Sequence, residues 1–258
     1  GAEAARRADV DGAAHRRDVA LDHIHADTAA GHVGDGFGGR ETGRKNQLPH
    51  NTTKRSLLMS ILYEERLDGA LPDVDRTSVL MALREHVPGL EILHTDEEII
   101  PYECDGLSAY RTRPLLVVLP KQMEQVTAIL AVCHRLRVPV VTRGAGTGLS
   151  GGALPLEKGV LLVMARFKEI LDINPVGRRA RVQPGVRNQA ISQAVAPHNL
   201  YYAPDPSSQI ACSIGGNVAE NSGGVHCLKY GLTVNNVLKV RAITIDGDIV
   251  EFGSRAPD

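Results

Sequence analysis

The sequence predicts a globular protein of mixed α and β structure, on three observations. Its 258 residues are 43% hydrophobic and 23% charged, a composition that supports a sizeable core. After Met59 helix-like and strand-like periodicities alternate, and two glycine-rich segments interrupt them. The longest apolar runs, 115–119 and 160–165, are far shorter than the roughly 20 residues that span a bilayer. These observations argue against an integral membrane protein.

The charge balance argues against a nucleic-acid binder. The chain has 29 Lys and Arg against 30 Asp and Glu, so no net field attracts a polyanion. Four cysteines, Cys104, Cys133, Cys212 and Cys227, form no CxxC pair and have no His at zinc spacing. We therefore expect no metal centre, and reduced thiols in a cytosolic protein.

The first 58 residues differ in composition from the rest of the chain. They hold five of the ten histidines, one aromatic residue and few large aliphatic residues, so they cannot bury enough apolar area to offset their ordering entropy. We expect residues 1–58 to form a disordered extension, with Met59 as the native start. The cluster of His23, His25 and His32 is interpreted as solvated rather than as a metal site. Asp9, Asp11 and Asp18 argue against a secretory signal.

Helices and strands follow Met59 in a regular order. Residues 59–114 are expected to form a helical segment, with short helices over 60–67 and 76–86; Asp75 is a candidate N-cap, and Thr95 with Glu98 forms a capping box. The domain proper is expected over 115–258. It begins with a buried strand over 115–119, an amphipathic helix over 123–137 and a strand over 138–142, which together make a βαβ unit.

A glycine-rich loop directly follows this unit. RGAGTGLSGG, at 143–152, contains a formal GxGxxG, but the strand-like run at 160–164 follows where a Rossmann turn requires a helix. No GKS or GKT is present, so a P-loop is disfavoured as well. We therefore expect a turn between two strands whose N–H groups line an anion site, with the Thr147 and Ser150 hydroxyls as added donors. The alternative is a flexible surface hairpin without a ligand.

A second unusual segment, PDPSSQIACSIGGNVAENSGG, lies at 204–224. A loop of this length inside a domain is usually functional. Ser213 is expected to cap a short helix reaching Val218, with the free N–H groups of that helix directed at whatever the first loop holds. The two loops are then expected to converge on one extended ligand.

These two motifs, in this order, resemble the FAD-binding domain of the vanillyl-alcohol oxidase and p-cresol methylhydroxylase type. The chain after Met59 is similar in particular to the FAD subunits of bacterial glycolate oxidases, which are related to D-lactate dehydrogenases. The resemblance implies an α+β fold of two subdomains, a small βαβ subdomain and a larger mixed sheet, with FAD extended between them. Where members with covalently bound flavin have His, this chain has Thr147, which implies dissociable, non-covalent FAD.

The resemblance also implies the cofactor-binding residues. One set wraps the pyrophosphate and the other follows the ribityl chain and the flavin ring. The expected residues are Arg143, Gly144, Ala145, Gly146, Thr147, Gly148, Leu149, Ser150, Gly151 and Gly152 in the first loop, and Pro204, Asp205, Cys212, Ser213, Gly215, Gly216, Asn217, Asn221 and Gly223 in the second.

The implied activity is FAD-dependent oxidation of a short 2-hydroxy acid, glycolate or D-lactate, to the 2-oxo acid. The implied partners are a second FAD-type subunit and an iron–sulfur subunit, in the cytoplasm or at the inner face of the membrane. Two alternatives stay open: a non-catalytic FAD-binding module, and an enzyme of the UDP-N-acetylenolpyruvoylglucosamine reductase type. No catalytic residue is assigned, since His198, His226 and Tyr230 near the second loop are interpreted as surface or packing residues.

The end of the chain predicts a β-hairpin. Residues 237–245 and 248–252 alternate as strands around Asp246-Gly247, a type I′ turn signal. A hairpin at the end of a mixed sheet leaves an open edge, so the domain is expected to be incomplete at its C-terminus.

Overall fold

The computed structural model describes residues 17–18, 23–30 and 74–253. Its helices are α1 Arg76–His86, α2 Asp96–Ile99, α3 Met123–Leu136, α4 Asn188–Val195, α5 Ile214–Glu220 and α6 Cys227–Tyr230. Its strands are β1 Arg17–Asp18, β2 His23–Ala30, β3 Glu91–Leu93, β4 Leu116–Leu119, β5 Val140–Arg143, β6 Val160–Val163, β7 Ile170–Asn174, β8 Arg179–Val182, β9 Leu200–Tyr201, β10 Lys239–Thr244 and β11 Ile249–Gly253. Short 3₁₀ turns cover Ile100–Tyr102, Met164–Arg166, Ala196–His198 and Thr233–Asn236.

The smaller sheet has four strands in the order β3-β4-β6-β5. Strands β4, β5 and β6 are parallel, and β3 pairs antiparallel with β4. Every residue of β4 and β6 is buried, as expected for parallel strands covered on both faces. Leu116 and Val118 of β4 pack with α1 and α3, while Val117 and Leu119 pack on the other face with Ile99. This sheet holds the start of the first loop.

The larger sheet is mixed and has five strands in the order β11-β10-β2-β8-β7. Its core joins Ala180 and Val182 of β8 to Ile191 of α4 and Ile214 of α5. Ile243 of β10 packs instead into the core of the smaller sheet, so the two subdomains share apolar contacts. The α+β architecture of two subdomains agrees with the predicted fold class. Among the described residues, no helix is long and apolar enough to span a bilayer.

The N-terminal extension was expected to be disordered, but ten of its residues form the strands β1 and β2. Strand β1 pairs with β9, and β2 lies between β8 and β10, parallel to both. A strand inserted between two others gains main-chain hydrogen bonds whatever its side chains, so poor apolar content does not prevent it. The rest of 1–58, with His32 of the histidine cluster, and the predicted helix over 60–67 lie outside the described residues.

Capping residues and apolar periodicity in the sequence predicted the positions of α1, α2 and α3. Helix α1 begins after Asp75, whose carboxylate accepts a hydrogen bond from the Ser78 N–H, and α2 begins with the predicted capping box of Thr95 and Glu98. Helix α3 buries Val126, Ile129, Leu130, Val132 and Cys133 on one face. The N-terminal segment also contributes strand β3, which no periodicity in the sequence indicated.

The C-terminal hairpin is present, but its turn is not type I′. Strands β10 and β11 pair antiparallel, and Gly247 has φ +88° while Asp246 is not among the residues with positive φ. The Gly247 N–H donates to Thr244 O, and the Thr244 N–H donates to Asp248 O. This is a three-residue loop ending in a left-handed glycine, a geometry that needs only one positive φ.

Candidate functional site

The first loop connects the neighbouring parallel strands β5 and β6. Residues 144–159, all of them described, contain no helix, which agrees with the rejection of a Rossmann turn. Because β5 and β6 are parallel, the segment is a crossover and not the alternative surface hairpin. Gly146 and Gly151 have φ of +69° and +78°, a conformation in which other residues are strained.

Residues 102–106, to which the sequence drew no attention, pack against this loop. The Arg143 guanidinium donates to Cys104 O at 2.6 Å and lies 5.8 Å from the centre of the Tyr102 ring. Burial lowers the pKa of Arg143, and nearby Asp105 opposes that change. A side chain at Gly146 would overlap the guanidinium group. The Arg143 side chain therefore joins the turn at Gly146 to the segment 102–106.

Asp105 and Gly106 complete this support. Asp105 is buried, and its carboxylate accepts from the Leu107 N–H at 2.9 Å and the Ala153 N–H at 3.4 Å. A Cβ on Gly106 would lie 2.6 Å from Gly148 O, so the two main chains touch. The Asp-Gly pair signals a turn in the sequence, but nothing local reveals that the turn lies beneath the first loop.

The second loop contains α5, whose first amides are already paired. The Ile214 N–H donates to Val186 O and the Gly215 N–H to Pro184 O, each at 2.8 Å. The expectation that the N-terminal amides of this helix face a ligand is therefore wrong for these two. Ser213 has N-cap backbone geometry, but its side chain makes no capping hydrogen bond, which corrects the predicted cap.

The Ser213 hydroxyl is instead buried without a partner. Ser213 is 4% exposed, and its Oγ makes no hydrogen bond to any described residue. A methyl group on Gly144 would overlap this oxygen and would lie 3.7 Å from Gly216 N. The absence of a side chain at Gly144 is what lets the two loops approach each other. A buried hydroxyl without a partner carries a desolvation cost that a ligand can relieve.

Side chains behind the cavity fix the second loop. The Asn188 amide, with 0% exposure, donates to Pro204 O and to Asn217 Oδ1, each at 3.0 Å. The Asn217 amide in turn lies 3.4 Å from Cys212 Sγ. These bonds join α4 to both the start of the loop and its helix.

The two loops enclose one cavity of about 470 Å³, a volume typical of ligand pockets. Its lining includes Gly144, Ala145, Gly146, Thr147, Gly148, Leu149 and Gly152 of the first loop and Cys212, Ser213, Gly216, Asn217, Asn221 and Gly223 of the second. It also includes residues that the sequence reasoning missed, namely Thr142, Ala153, Ser207, Ser208, Ala219, Glu220 and Ser222.

The other expected residues do not line this cavity. Arg143 and Gly151 belong to the turn and its support, and Gly215 packs on Pro184. Ser150, Pro204 and Asp205 also lie outside the lining, as do His198, His226 and Tyr230. The four cysteines are free thiols, and burial raises the pKa of Cys133 to about 12. No cluster of potential metal ligands occurs within the described ranges.

The lining is almost uncharged. It contains no Lys or Arg in this described part of the chain, and Glu220 is its one carboxylate. A phosphate in this cavity would be bound by main-chain N–H groups and hydroxyls, as glycine-rich loops generally bind anions.

Comparison with known proteins defines the class. Residues 114–253, more than half of the chain, match the family described as FAD binding domain, and the chain belongs to that family. FAD is therefore its cofactor, as the two motifs predicted. The site fits FAD in two observed respects: the Ser213 hydroxyl is buried without a partner, and three glycines of the first loop, Gly144, Gly146 and Gly148, line the same cavity.

Individual relatives narrow the resemblance. The chain is 92% identical over 200 residues to glycolate oxidase subunit GlcD of Escherichia coli (strain K12), which covers 78% of this chain and 40% of that protein. It is 39% identical over 140 residues to a D-lactate dehydrogenase of Archaeoglobus fulgidus, covering 54% of this chain and 31% of that one. The chain thus spans less than half the length of these relatives.

A solved structure confirms the fold. The Physcomitrella patens BBE-like 1 protein superposes with a TM-score of 0.59 at 21% sequence identity, over 68% of this chain and 37% of that chain. At that identity the likeness concerns architecture alone.

Proposed function

We propose that this chain holds FAD non-covalently between its two loops and is the flavin-binding part of an enzyme that oxidises a short 2-hydroxy acid to the 2-oxo acid. The observation that carries the proposal is the meeting of the loops at Gly144 and Ser213, across one cavity with a buried unpaired hydroxyl. Thr147, which cannot form the covalent link that a histidine forms, supports a dissociable cofactor.

Each loop has its own part in binding. Gly144, Gly146, Thr147, Gly148 and Gly152 would surround the pyrophosphate with main-chain N–H groups, while Arg143 and Gly151 shape the turn. Along the ribityl chain and the flavin ring, the proposed residues are Cys212, Ser213, Gly216, Asn217, Asn221 and Gly223, with Gly215 seating their helix on Pro184. Ala145, Leu149 and Ser150 complete the first loop, and Pro204 and Asp205 anchor the second.

Bound FAD supplies a two-electron acceptor for the carbon that bears the substrate hydroxyl. The residues of this chain would bind and orient the cofactor. The base for the hydroxyl proton and the cation for the substrate carboxylate, which this reaction also needs, are not assigned to any residue of this chain.

We propose glycolate or D-lactate as the substrate, because the similar proteins are named as a glycolate oxidase subunit and a D-lactate dehydrogenase. The E. coli relative is named as a subunit, which supports assembly with other subunits. We propose a second FAD-type subunit and an iron–sulfur subunit as the partners, in the cytoplasm or at the inner face of the membrane.

One experiment separates binding from catalysis. The protein is incubated with FAD, desalted and examined by visible spectroscopy, and then denatured to test whether the flavin is released. A retained flavin band that dissociates on denaturation is expected; a colourless protein contradicts the proposal. In the assembled complex, anaerobic glycolate or D-lactate should then bleach the band, whereas an unchanged band there would favour a non-catalytic FAD-binding module.

A further inference from the structure

A carboxylate and an imidazole meet at the two ends of the second loop. Asp205 accepts hydrogen bonds from the His226 main-chain N–H at 3.2 Å and from His226 Nδ1 at 2.5 Å. Since an ionised carboxylate only accepts, this pairing places the imidazole proton on Nδ1. The Asp205 side chain is 17% exposed and that of His226 is 60% exposed. The accepting carboxylate of Asp205 is thus mostly buried, whereas the donating ring of His226 lies at the surface.

The chain between these two residues forms most of the cavity wall. It contributes the lining residues of the second loop from Ser207 to Gly223, including the unpaired Ser213. Asp205 and His226 themselves do not line the cavity. The pair therefore acts on the wall by holding its ends together, not by touching a ligand.

Neighbouring contacts give the pair a rigid base. Asn188 holds Pro204 O at 3.0 Å, immediately before Asp205, and any side chain on Gly224 would overlap the Asp205 main chain. The His226 ring lies 6.4 Å from the Tyr230 ring, which meets Tyr201 of β9 edge to face at 6.0 Å. One end of the loop is thus fixed to α4. The other end meets the first through Gly224 and His226 and is also held by Thr233, whose N–H and hydroxyl donate to Ser222 O.

We propose that Asp205 and His226 are positioning residues that hold the wall of the second loop in the FAD-binding conformation. This inference rests on the proposed function, because its effect is exerted on the flavin site. Loss of the side-chain hydrogen bond leaves the cavity lining intact in composition but loosens the ends of this wall, while the bonds of Asn217, Ile214 and Gly215 still hold its middle. FAD affinity should fall, and the bound flavin should lie in a less asymmetric environment.

Substitutions at His226 test the hydrogen bond itself. In His226→Asn the side-chain amide nitrogen occupies the place of Nδ1 and can still donate to Asp205, whereas in His226→Gln it lies farther out, near the place of Nε2. We expect His226→Gln and Asp205→Ala to raise the FAD Kd about tenfold, the size of one charge-assisted hydrogen bond. His226→Asn should stay within about twofold of the unsubstituted protein.

A control and a spectroscopic measurement distinguish positioning from general stability. Arg241→Ala removes the 3.1 Å hydrogen bond to Glu251 between β10 and β11, away from the cavity, and should leave the FAD Kd unchanged. Visible circular dichroism of the bound flavin at saturating FAD should change in His226→Gln and not in His226→Asn or Arg241→Ala. A merely structural role would lower the unfolding temperature of the apoprotein and leave this spectrum unchanged.

The outcomes separate the inference from the function beneath it. Equal Kd values and equal spectra for the Asn and Gln variants would overturn the positioning role. Failure of the unsubstituted protein to bind FAD would overturn the proposed function instead. If His226→Gln does not fold, Asp205→Asn supplies the comparison, since it removes the negative charge and keeps an oxygen that can accept.

Discussion

The two loops that form the cavity are held in different ways. The first loop depends on close main-chain approach: it connects adjacent parallel strands, contacts Gly106 and needs glycine at 144 and 146, with the Arg143 and Asp105 side chains at its base. The second loop has main-chain bonds at the start of α5 and depends in addition on hydrogen-bonding side chains, namely Asn188 behind it and Asp205 with His226 at its ends. The comparison teaches that added atoms should disrupt the first loop, whereas removed hydrogen bonds should disrupt the second.

The largest effect is expected at the contact between the loops. In Gly144→Ala the new methyl group overlaps the buried Ser213 hydroxyl, so this hydroxyl must rotate away from its place or the loops must separate. We expect the FAD Kd to rise about 100-fold and the free energy of unfolding to fall by about 1–3 kcal/mol, as for overpacked interiors. Isothermal titration and urea unfolding measure the two quantities.

A matched glycine and a double variant make this test specific. Gly177→Ala, outside the cavity lining, places its methyl group 2.8 Å from Arg179 Nε, which belongs to a flexible side chain, and should change the Kd less than about threefold. Gly144→Ala/Ser213→Ala removes the overlapping oxygen and should recover part of the lost stability. Equal losses in Gly144→Ala and Gly177→Ala would show that steric contact between the loops is not what matters.

Removal of a buried amide tests the side-chain support of the second loop. Asn188→Ala leaves Pro204 O and Asn217 Oδ1 without their donor, which should cost about 1–3 kcal/mol of unfolding free energy. Hydrogen exchange should accelerate over 204–224 and stay unchanged over 144–152. Asn174→Ala, at an exposed turn where Oδ1 accepts from the Gly177 N–H, should cost less than about 1 kcal/mol. Equal acceleration in both loops would contradict the proposed division of support.

The unpaired hydroxyl predicts opposite effects on stability and on binding. In Ser213→Ala a buried oxygen without a partner is removed, so the apoprotein should be as stable as before or up to about 1 kcal/mol more stable. FAD affinity should nevertheless fall about tenfold, since the ligand loses a donor or acceptor. Ser192→Ala should instead lower the stability of the apoprotein and leave the FAD affinity unchanged, because Ser192 Oγ accepts from the Tyr202 N–H at 3.0 Å outside the cavity. A less stable Ser213→Ala apoprotein would contradict the assignment.

The sequence predicted what depends on near neighbours in the chain. The spacing of side chains predicts helix α1 and its cap at Asp75. The two loops are recognisable because glycine costs chain entropy, so several glycines in one segment indicate close approach of the main chain to another group. The family resemblance added the cofactor, which the family match confirms, and the joint site of the two loops, which stays a prediction. The solved structure confirms the fold.

Long-range features were out of reach of this reasoning. Strand β6 lies between β4 and β5, which only the assembled sheet decides. Asp105 has the same local signature as a surface aspartate, yet it is buried beneath the first loop. Ser213 looked like a helix cap, but the approach of Gly144 from the other subdomain surrounds its oxygen. Each miss arises from a contact between segments distant in sequence.

The smallest effect is expected far from both loops, at the capping box of α2. The pKa of Glu98 is lowered from 4.5 to about 2, mainly because its carboxylate accepts from the His94 N–H and then from the Thr95 N–H. A lowered pKa in the folded state means that this stabilisation is complete above pH 4.5 and is lost as the pH falls toward 2. The unfolding temperature of the unsubstituted protein should therefore fall more steeply over this interval than that of Glu98→Gln, which lacks the titrating group. Parallel profiles would contradict the assignment, and FAD affinity at neutral pH should be the same in both proteins because α2 touches neither loop wall.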